Sequence, residues 1–242
     1  MNVKAALLTK AGGRKVNEDY CGIKEKDGFY SFVLADGLGG HQSGDLASRT
    51  VGEAVLEAFT ISPGLSANYM RNYIDHARSV FMSVGQQTPA AVRMKTTLVV
   101  LLTDGKQALW GHIGDSRLYY YRTSKIKLVT KDHSVPQLLA DSGEISQEQI
   151  RYHEDRNRLT AAFDGSDKMR FVIAEHVVDL LQGDAFLLCS DGFWEHVYDN
   201  EMEYDLNRIT GPEQWLFEME QRLLTRVKSG YDNYSVIAVN IF

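Results

Sequence analysis

YCGIKEKDGFYSFVLAD, residues 20–36, alternates polar and apolar side chains up to Asp27-Gly28 and is almost wholly apolar after it. An Asp-Gly pair tolerates the positive φ angles of a tight hairpin turn, so the stretch reads as two antiparallel strands. The second strand runs straight into Asp36. Downstream, Ala47, Val51, Ala54, Val55 and Ala58, and then Met70, Tyr73, Ile74, Ala77, Val80, Phe81 and Val84, recur at helical spacing and predict two successive amphipathic helices. Strand patterns return in TTLVVLL, QALWGHIG, RLYYYRT and KIKLVT, with a second Asp-Gly turn at Asp104, and read as an antiparallel meander. In Tyr119-Tyr120-Tyr121, alternation assigns neighbouring rings to core and surface.

Residues 133–165 are polar and irregular, with short helical pieces near 135–140 and 147–152, and read as an excursion from the sheet. MRFVIAEHV and DAFLLCS predict two more strands, residues 213–227 a helix with Leu216, Met219, Leu223 and Val227 inward, and YSVIAVNIF a closing strand. Strands in two groups, each followed by helices, suggest an α+β fold of antiparallel sheet covered by helices rather than a βαβ wind.

The chain has 242 residues, 44% hydrophobic and 24% charged, with four prolines and no low-complexity tract, which fits one compact domain over 1–242. Its net charge of −6 and lack of a Lys/Arg run argue against nucleic acid or an anionic membrane as partner, while leaving room for a local basic pocket. The apolar stretch near the start is too short for a signal peptide, and the longest apolar run, Leu98 to Leu102, cannot span a bilayer, so a cytoplasmic protein without membrane insertion is expected. Cys21 and Cys189 are expected to be buried free thiols.

Five Asp-Gly pairs occur, at 27, 36, 104, 164 and 191. Those at 27, 104 and 164 are read as turns. Asp36 and Asp191 differ because each ends an apolar strand, FVLA and FLLCS, which carries the carboxylate to the strand's edge. Asp115 follows ALWGHIG and Asp232 precedes the closing strand. If these ends converge, carboxylates roughly 4 Å apart repel by about 4 kcal/mol per pair at an effective dielectric near 20, so a cation is needed to hold them together. With oxygen donors and no cysteine or histidine cluster at zinc spacing, that cation is Mg²⁺ or Mn²⁺. Two such ions sharing a carboxylate suit phosphate ester hydrolysis. Rival chemistries lack their residues: six positions after Cys189 and Cys21 stand Glu195 and Asp27 rather than Arg, and Asp-x-Asp, Gly-x-Ser-x-Gly and a P-loop ending are missing.

These residues resemble the metal-dependent serine/threonine protein phosphatases of type 2C in their compact bacterial form. The likeness runs through Arg14-Lys15-Val16-Asn17-Glu18-Asp19, Ala35-Asp36-Gly37-Leu38-Gly39-Gly40-His41, Lys95-Thr96-Thr97, Gly114-Asp115-Ser116-Arg117, Thr130-Lys131-Asp132-His133-Ser134, Ser190-Asp191-Gly192-Phe193-Trp194-Glu195 and Asp232-Asn233-Tyr234-Ser235. Each piece is short, but their joint order covers nearly the whole chain.

The resemblance implies a four-layer α-β-β-α sandwich with two central antiparallel sheets and a binuclear Mg²⁺ or Mn²⁺ centre. It implies that Asp36 bridges both metals, that Asp191 and Asp232 complete one shell, and that Glu18 and the carbonyl of Gly37 serve the other. Asp19 would orient bound water, Asp115 with Asp191 would hold a weaker third metal, and Arg14 would clamp the substrate phosphate. Residue by residue, without the likeness, Arg14 reads as a solvated surface group.

Two departures stand out. Leu38 follows Asp36-Gly37 where animal relatives carry a histidine proposed as general acid, and His41 either caps the next helix or acts in its place. The segment Asn157-Arg158-Leu159-Thr160-Ala161-Ala162-Phe163 lacks the Arg-Ala-Leu-Gly that usually follows this Leu-Thr, within a flap expected at about 141–165. Implied partners are phosphorylated proteins and a Ser/Thr kinase whose action a monomeric phosphatase reverses, with secretion-system control as one setting. The competing readings are a catalytically silent module on the same fold, which would have lost ligands, and a nucleotide or nucleic-acid phosphoesterase, which would want a basic groove or stacking aromatics.

Overall fold

The computed structural model describes residues 1–39, 43–87 and 94–242. Its first sheet grows from the hairpin of β2 (Asp19–Lys26) and β3 (Phe29–Leu38), whose turn residues Asp27 and Gly28 have φ of 53° and 79°. Two consecutive positive φ angles match the twist of the flanking strands. β3 pairs antiparallel with β5 (Leu98–Thr103), β5 with β6 (Gln107–Ile113), and the short β4 (Lys95–Thr96) extends β3 at its far end. The second sheet has the order β1 (Val3–Lys10), β12 (Tyr234–Ile241), β11 (Ala185–Cys189), β7 (Arg117–Arg122) and β8 (Lys125–Val129), also antiparallel.

Strand alternation builds the four layers. In β3, Phe32 and Leu34 face the space between the sheets, where they meet Tyr120, Phe186, Leu188 and Ile237 of the second sheet. Val33 and Ala35 face the other way, against α1 (Ser43–Ile61) and α2 (Ala67–Gln87). In the second sheet Tyr119, Leu187 and Val236 turn outward onto α4 (Asp191–Trp194), α5 (Asp199–Leu206) and α6 (Pro212–Arg226), where Trp194, Met202, Trp215 and Met219 cover them. Both faces of the central strands are therefore covered, which is why they read as continuous apolar runs instead of alternating ones. The expected α-β-β-α sandwich is the observed fold.

Several local expectations need correcting. The meander is split between sheets: after β6 the chain turns at Gly114, φ 100°, and enters the second sheet at Arg117. Alternation tells which residues are buried, but not against which sheet. The tyrosine run has no surface side, because Tyr119 and Tyr121 pack under the helices and Tyr120 between the sheets. MRFVIAEHV, residues 169–177, contributes only the short β9 (Val172–Ile173) to the edge of β6, and β10 (Val178–Asp179) pairs there just after it, the backbone bending at Glu175-His176 between them. β1 and α5 escape the sequence reading. The polar DNEMEYDL of α5 starts through a cap in which Tyr198 N–H donates to the Glu201 carboxylate at 3.0 Å, and that acid also suits the helix's positive end.

The excursion after β8 contains α3 (Val135–Ser142) and one 3₁₀ turn (Gln147–Tyr152), as the pattern predicts. Among the described residues no helix is long and apolar enough to cross a membrane. Both cysteines are free, Cys189 buried and Cys21 partly so.

Candidate active site

Antiparallel register carries the acidic strand ends to one edge. The start of β2 lies beside the end of β3, with Asp19 directly opposite Asp36. β5 starts beside that same end of β3 and also beside the end of β6, just before Asp115. In the second sheet the end of β11 precedes Asp191 and lies against the start of β12, which follows Asp232. Strand polarity alone thus collects residues more than 200 positions apart in the chain, Asp19 and Asp232 among them.

A cavity of about 600 Å³ opens at this edge, and Arg14, Glu18, Asp36, Gly37, Asp115, Asp191 and Asp232 all line it. Asp19 lies behind the wall, buried, with Oδ2 accepting from the Ser190 hydroxyl at 2.9 Å. Its Oδ1 is buried without a hydrogen-bond partner. Of the sequence-designated residues, seven therefore meet at the cavity and the eighth supports it. His41 lies outside the described residues.

Backbone anchors fix each acid. Asp36 N–H donates to Thr97 Oγ1 at 2.9 Å, while its carbonyl accepts from Thr97 N–H and the Thr96 hydroxyl, both at 2.8 Å. Glu18 N–H donates to Asn233 Oδ1 at 2.8 Å, and the Asn233 amide donates to the carbonyls of Ala11 and Val16, both at 2.9 Å. Ser190 and Ser235 join β11 to β12 beside Asp19, with Ser235 N–H donating to the Ser190 hydroxyl at 3.0 Å. Asn233, Thr97, Ser190 and Ser235 are supports of the acidic edge to which the sequence reading gave no role. Of these, Asn233 and Ser190 stand next to a designated carboxylate in the sequence, Asp232 and Asp191.

Glycines let three segments meet closely. A Cβ on Gly37 would stand 2.1 Å from the Gly44 carbonyl oxygen, and one on Gly192 would stand 2.0 Å from that of Asn233. Neither position admits a side chain without moving backbone, so the Asp36-Gly37 and Asp191-Gly192 pairs are chosen for approach rather than for a turn.

Asp115 is supported from below. Trp194 donates its indole N–H to the Asp115 carbonyl at 3.0 Å, and the Arg117 guanidinium stacks 3.5 Å from that ring. Arg117 also grips Asp132 with two bonds of 2.8 and 2.7 Å, both groups nearly buried. Removing one partner of a buried pair strands the other charge, so Arg117→Met is expected to cost about 3–5 kcal/mol. Thermal unfolding should show this as a fall in Tm on the order of 10 °C; a shift of under about 2 °C would mean the pair is not supporting the edge.

The electrostatics of the cluster are strained. Burial, then the charges of Asp19, Asp191, Asp115 and Asp232, push the Asp36 carboxyl well above its usual range. Asp115 is raised well up by burial and by Asp191 and Asp132. Burial brings Asp19 to about 7 and, with repulsion from Asp232, Asp191 to about 6. Burial and the acids Asp232 and Asp45 also raise Glu18. The charge of Asp191 bears on the Asp36 carboxyl, a repulsion that a proton or a cation between them would relieve.

The acids ring the cavity without closing on a point: among the described residues no three acidic, imidazole or thiol groups gather into a complete ion site. The donor set nonetheless fits hard divalent ions, being all oxygen, mutually repelling and backed by an unpartnered carboxylate oxygen on Asp19.

A four-layer α-β-β-α sandwich with such an oxygen-donor cluster at one edge defines a class of metal-dependent hydrolase acting on phosphate esters. Comparison with known proteins narrows the class: the chain belongs to the protein phosphatase 2C family, whose family model matches residues 11–227. It is 30% identical over 234 residues to a serine/threonine phosphatase, stp, of Listeria monocytogenes, spanning 93% of this chain and 90% of that one. The structure of the Staphylococcus aureus serine/threonine phosphatase Stp1 aligns over 100% of this chain and 96% of its own, with a TM-score of 0.89 and 28% identity. The catalytic domain of the phosphatase PstP in complex with two manganese ions aligns over 98% of this chain and 97% of its own, with a TM-score of 0.85 and 27% identity. The chain is accordingly a metal-dependent protein-serine/threonine phosphatase.

Proposed function

We propose that the edge cavity is the site at which phosphoserine and phosphothreonine esters of proteins are hydrolysed, with two Mn²⁺ or Mg²⁺ ions held by its carboxylates. The observation that carries this reading is the convergence of Glu18, Asp36, Asp115, Asp191 and Asp232 on one cavity with Arg14 at its rim. Asp36 would take the shared position, since it stands opposite Asp19 across the hairpin and feels the charge of Asp191. Asp191 and Asp232 would hold one ion, Glu18 and the Gly37 carbonyl the other, and Asp115 with Asp191 a weaker third. When bound, such ions lower the pKa of a water and neutralise charge building on the phosphoryl group.

The chain's own groups do the rest. Arg14 donates to Asp232 at 3.0 Å and is exposed, so its planar fork is free to exchange that partner for a substrate phosphate. Asp19, anchored by Ser190, orients water behind the Asp36 carboxylate. Leu38 offers no proton, and among the described residues no imidazole lines the cavity. The counterpart enzyme is a Ser/Thr kinase. The flap is the segment 141–165, which carries Asn157 and Leu159 to the cavity wall.

Turnover of a phosphothreonine peptide and of a nucleotide monophosphate, each with Mn²⁺, Mg²⁺ or chelator, tests the proposal. The peptide should be preferred and chelator should abolish its hydrolysis. Full activity in chelator, or a strong preference for the nucleotide, would remove this reading. Phosphoproteomics after deletion of the gene would name the substrates, with secretion-system components as one class to inspect.

A further inference from the structure

A second cleft, of about 860 Å³, adjoins the edge cavity: Leu38, Asn157 and Leu159 line both. Its lining holds Lys95, Lys168 and Arg170, against the one carboxylate of Asp164 among the described residues. His133 also lines it, but burial and the neighbouring His112 bring that imidazole down to about 4, so it is neutral. The cleft is therefore positive beside an intensely acidic centre, in a chain of net charge −6.

The three cations are placed there by the fold. Lys95 lies opposite Leu38 in the pairing of β3 with β4. Lys168 lies in a turn closed by Met169 N–H donating to the Ser166 carbonyl at 3.2 Å, and Met169, Phe171 and Ile173 pack against the core beneath α1 and α2. Lys168 and Arg170 between them are exposed and line the cleft with Val172. Arg78, Arg117, Arg122, Arg151, Arg156, Arg158, Arg222 and Arg226 each have an acidic partner, but among the described residues Lys95, Lys168 and Arg170 have none. Exposed cations without an acidic partner, lining one cleft, are open to pairing with an anionic ligand.

We infer that this cleft is a subsite for acidic side chains next to the phosphorylated residue, so that the enzyme prefers phosphoproteins with Asp or Glu close to the phosphoserine or phosphothreonine. The inference rests on the phosphatase reading above and adds a substrate class to it. Charge complementarity selects the occupant, and the continuity of the two cavities places it on the same chain as the phosphoryl group. A single-stranded nucleic acid fits less well, because among the described residues no Phe, Tyr or Trp lines the cleft to stack a base, and the ring of His133 is already stacked on His112 at 4.8 Å.

Two phosphothreonine peptides, identical except for Glu or Gln at the flanking positions, are compared on the whole chain with its metal. Alongside them run a chromogenic aryl phosphate, too small to reach the cleft, and the double variant Lys168→Gln/Arg170→Gln. The Glu peptide should have a KM about tenfold lower at similar kcat, a gap that narrows as salt is raised. The double variant should lose that gap while its aryl phosphate kinetics stay within about twofold of the parent. A control, Lys24→Gln/Lys26→Gln on β2, makes the same charge change away from the cleft and should keep the gap. Equal KM values for the two peptides, a gap that survives in the double variant, or its loss in the control overturns the inference. So does inhibition by a single-stranded oligonucleotide that exceeds inhibition by an acidic peptide of equal charge. If the parent fails to turn over the aryl phosphate, the phosphatase reading itself falls, and the subsite with it.

Discussion

Asp36→Asn should lose phosphatase activity by about 10³-fold while the metal-free protein becomes harder to unfold. The loss follows because the shared carboxylate of the proposed metal centre is worth several kcal/mol of transition-state stabilisation, with each 1.36 kcal/mol equal to a factor of about ten. The gain follows because burial and four neighbouring acids already push the Asp36 carboxyl well up, so a neutral amide of the same shape removes repulsion. In chelator at pH 8 the variant's Tm should exceed the parent's by several degrees, and Mn²⁺ should no longer raise it. Asp232→Asn is the contrast: Asp232 is exposed and paired with Arg14, so activity should fall without the gain in stability. Titrating Mn²⁺ against both variants by thermal unfolding and aryl phosphate turnover checks the pair. An Asp36→Asn protein that is fully active, or that is less stable than the parent in chelator, would sink the role assigned to this carboxylate.

The second expectation is a reversal of pH dependence on adding metal. Asp19 at about 7 and Asp191 at about 6 both sit above the ordinary Asp value of 3.8, with Asp36, Asp115 and Glu18 raised as well. A folded state with raised carboxyl pKa values binds more protons than the unfolded chain between about pH 4 and 7, so its stability falls as pH rises through that window. In chelator, Tm should therefore drop between pH 5 and pH 8 by on the order of 10 °C, several kcal/mol at this chain length. Divalent cations compete with those protons, so their stabilisation should be small at pH 5 and large at pH 8. Thermal unfolding across this range, with chelator and with Mn²⁺, measures both arms. A chelated protein whose Tm is flat or rises with pH, with a metal-induced shift that ignores pH, would contradict the electrostatic picture of the edge.

The two expectations share a cause with the family's chemistry. Backbone anchors such as Thr97 to Asp36 and Asn233 to Glu18 hold carboxylates in place that repulsion would otherwise disperse. The stability forgone in the metal-free state is what makes cation binding favourable. It also explains why the site was legible from motifs while its supports were not. Asp36 and Asp191 announce themselves by ending apolar strands, whereas Asn233 and Ser190 matter through partners 215 and 171 positions away.

Elements differ in the same way. The Asp27-Gly28 hairpin, α1, α2 and α6 follow from local turn chemistry and helical spacing, because their determinants lie within a few residues of one another. The change of sheet at Gly114, the burial of both faces of Tyr119–Tyr121 and the breaking of residues 169–179 into edge pairings depend on which element lies opposite. Local sequence specifies the period of burial; only packing specifies the neighbour. For the site, the sequence by itself determined the acids Glu18, Asp36, Asp115, Asp191 and Asp232, the absence of rival nucleophile motifs and the family likeness. Only the tertiary structure decided that antiparallel strand polarity gathers those acids at one edge and sets Lys95, Lys168 and Arg170 in a cleft beside them, because charges distant in sequence meet only once the sheets have formed.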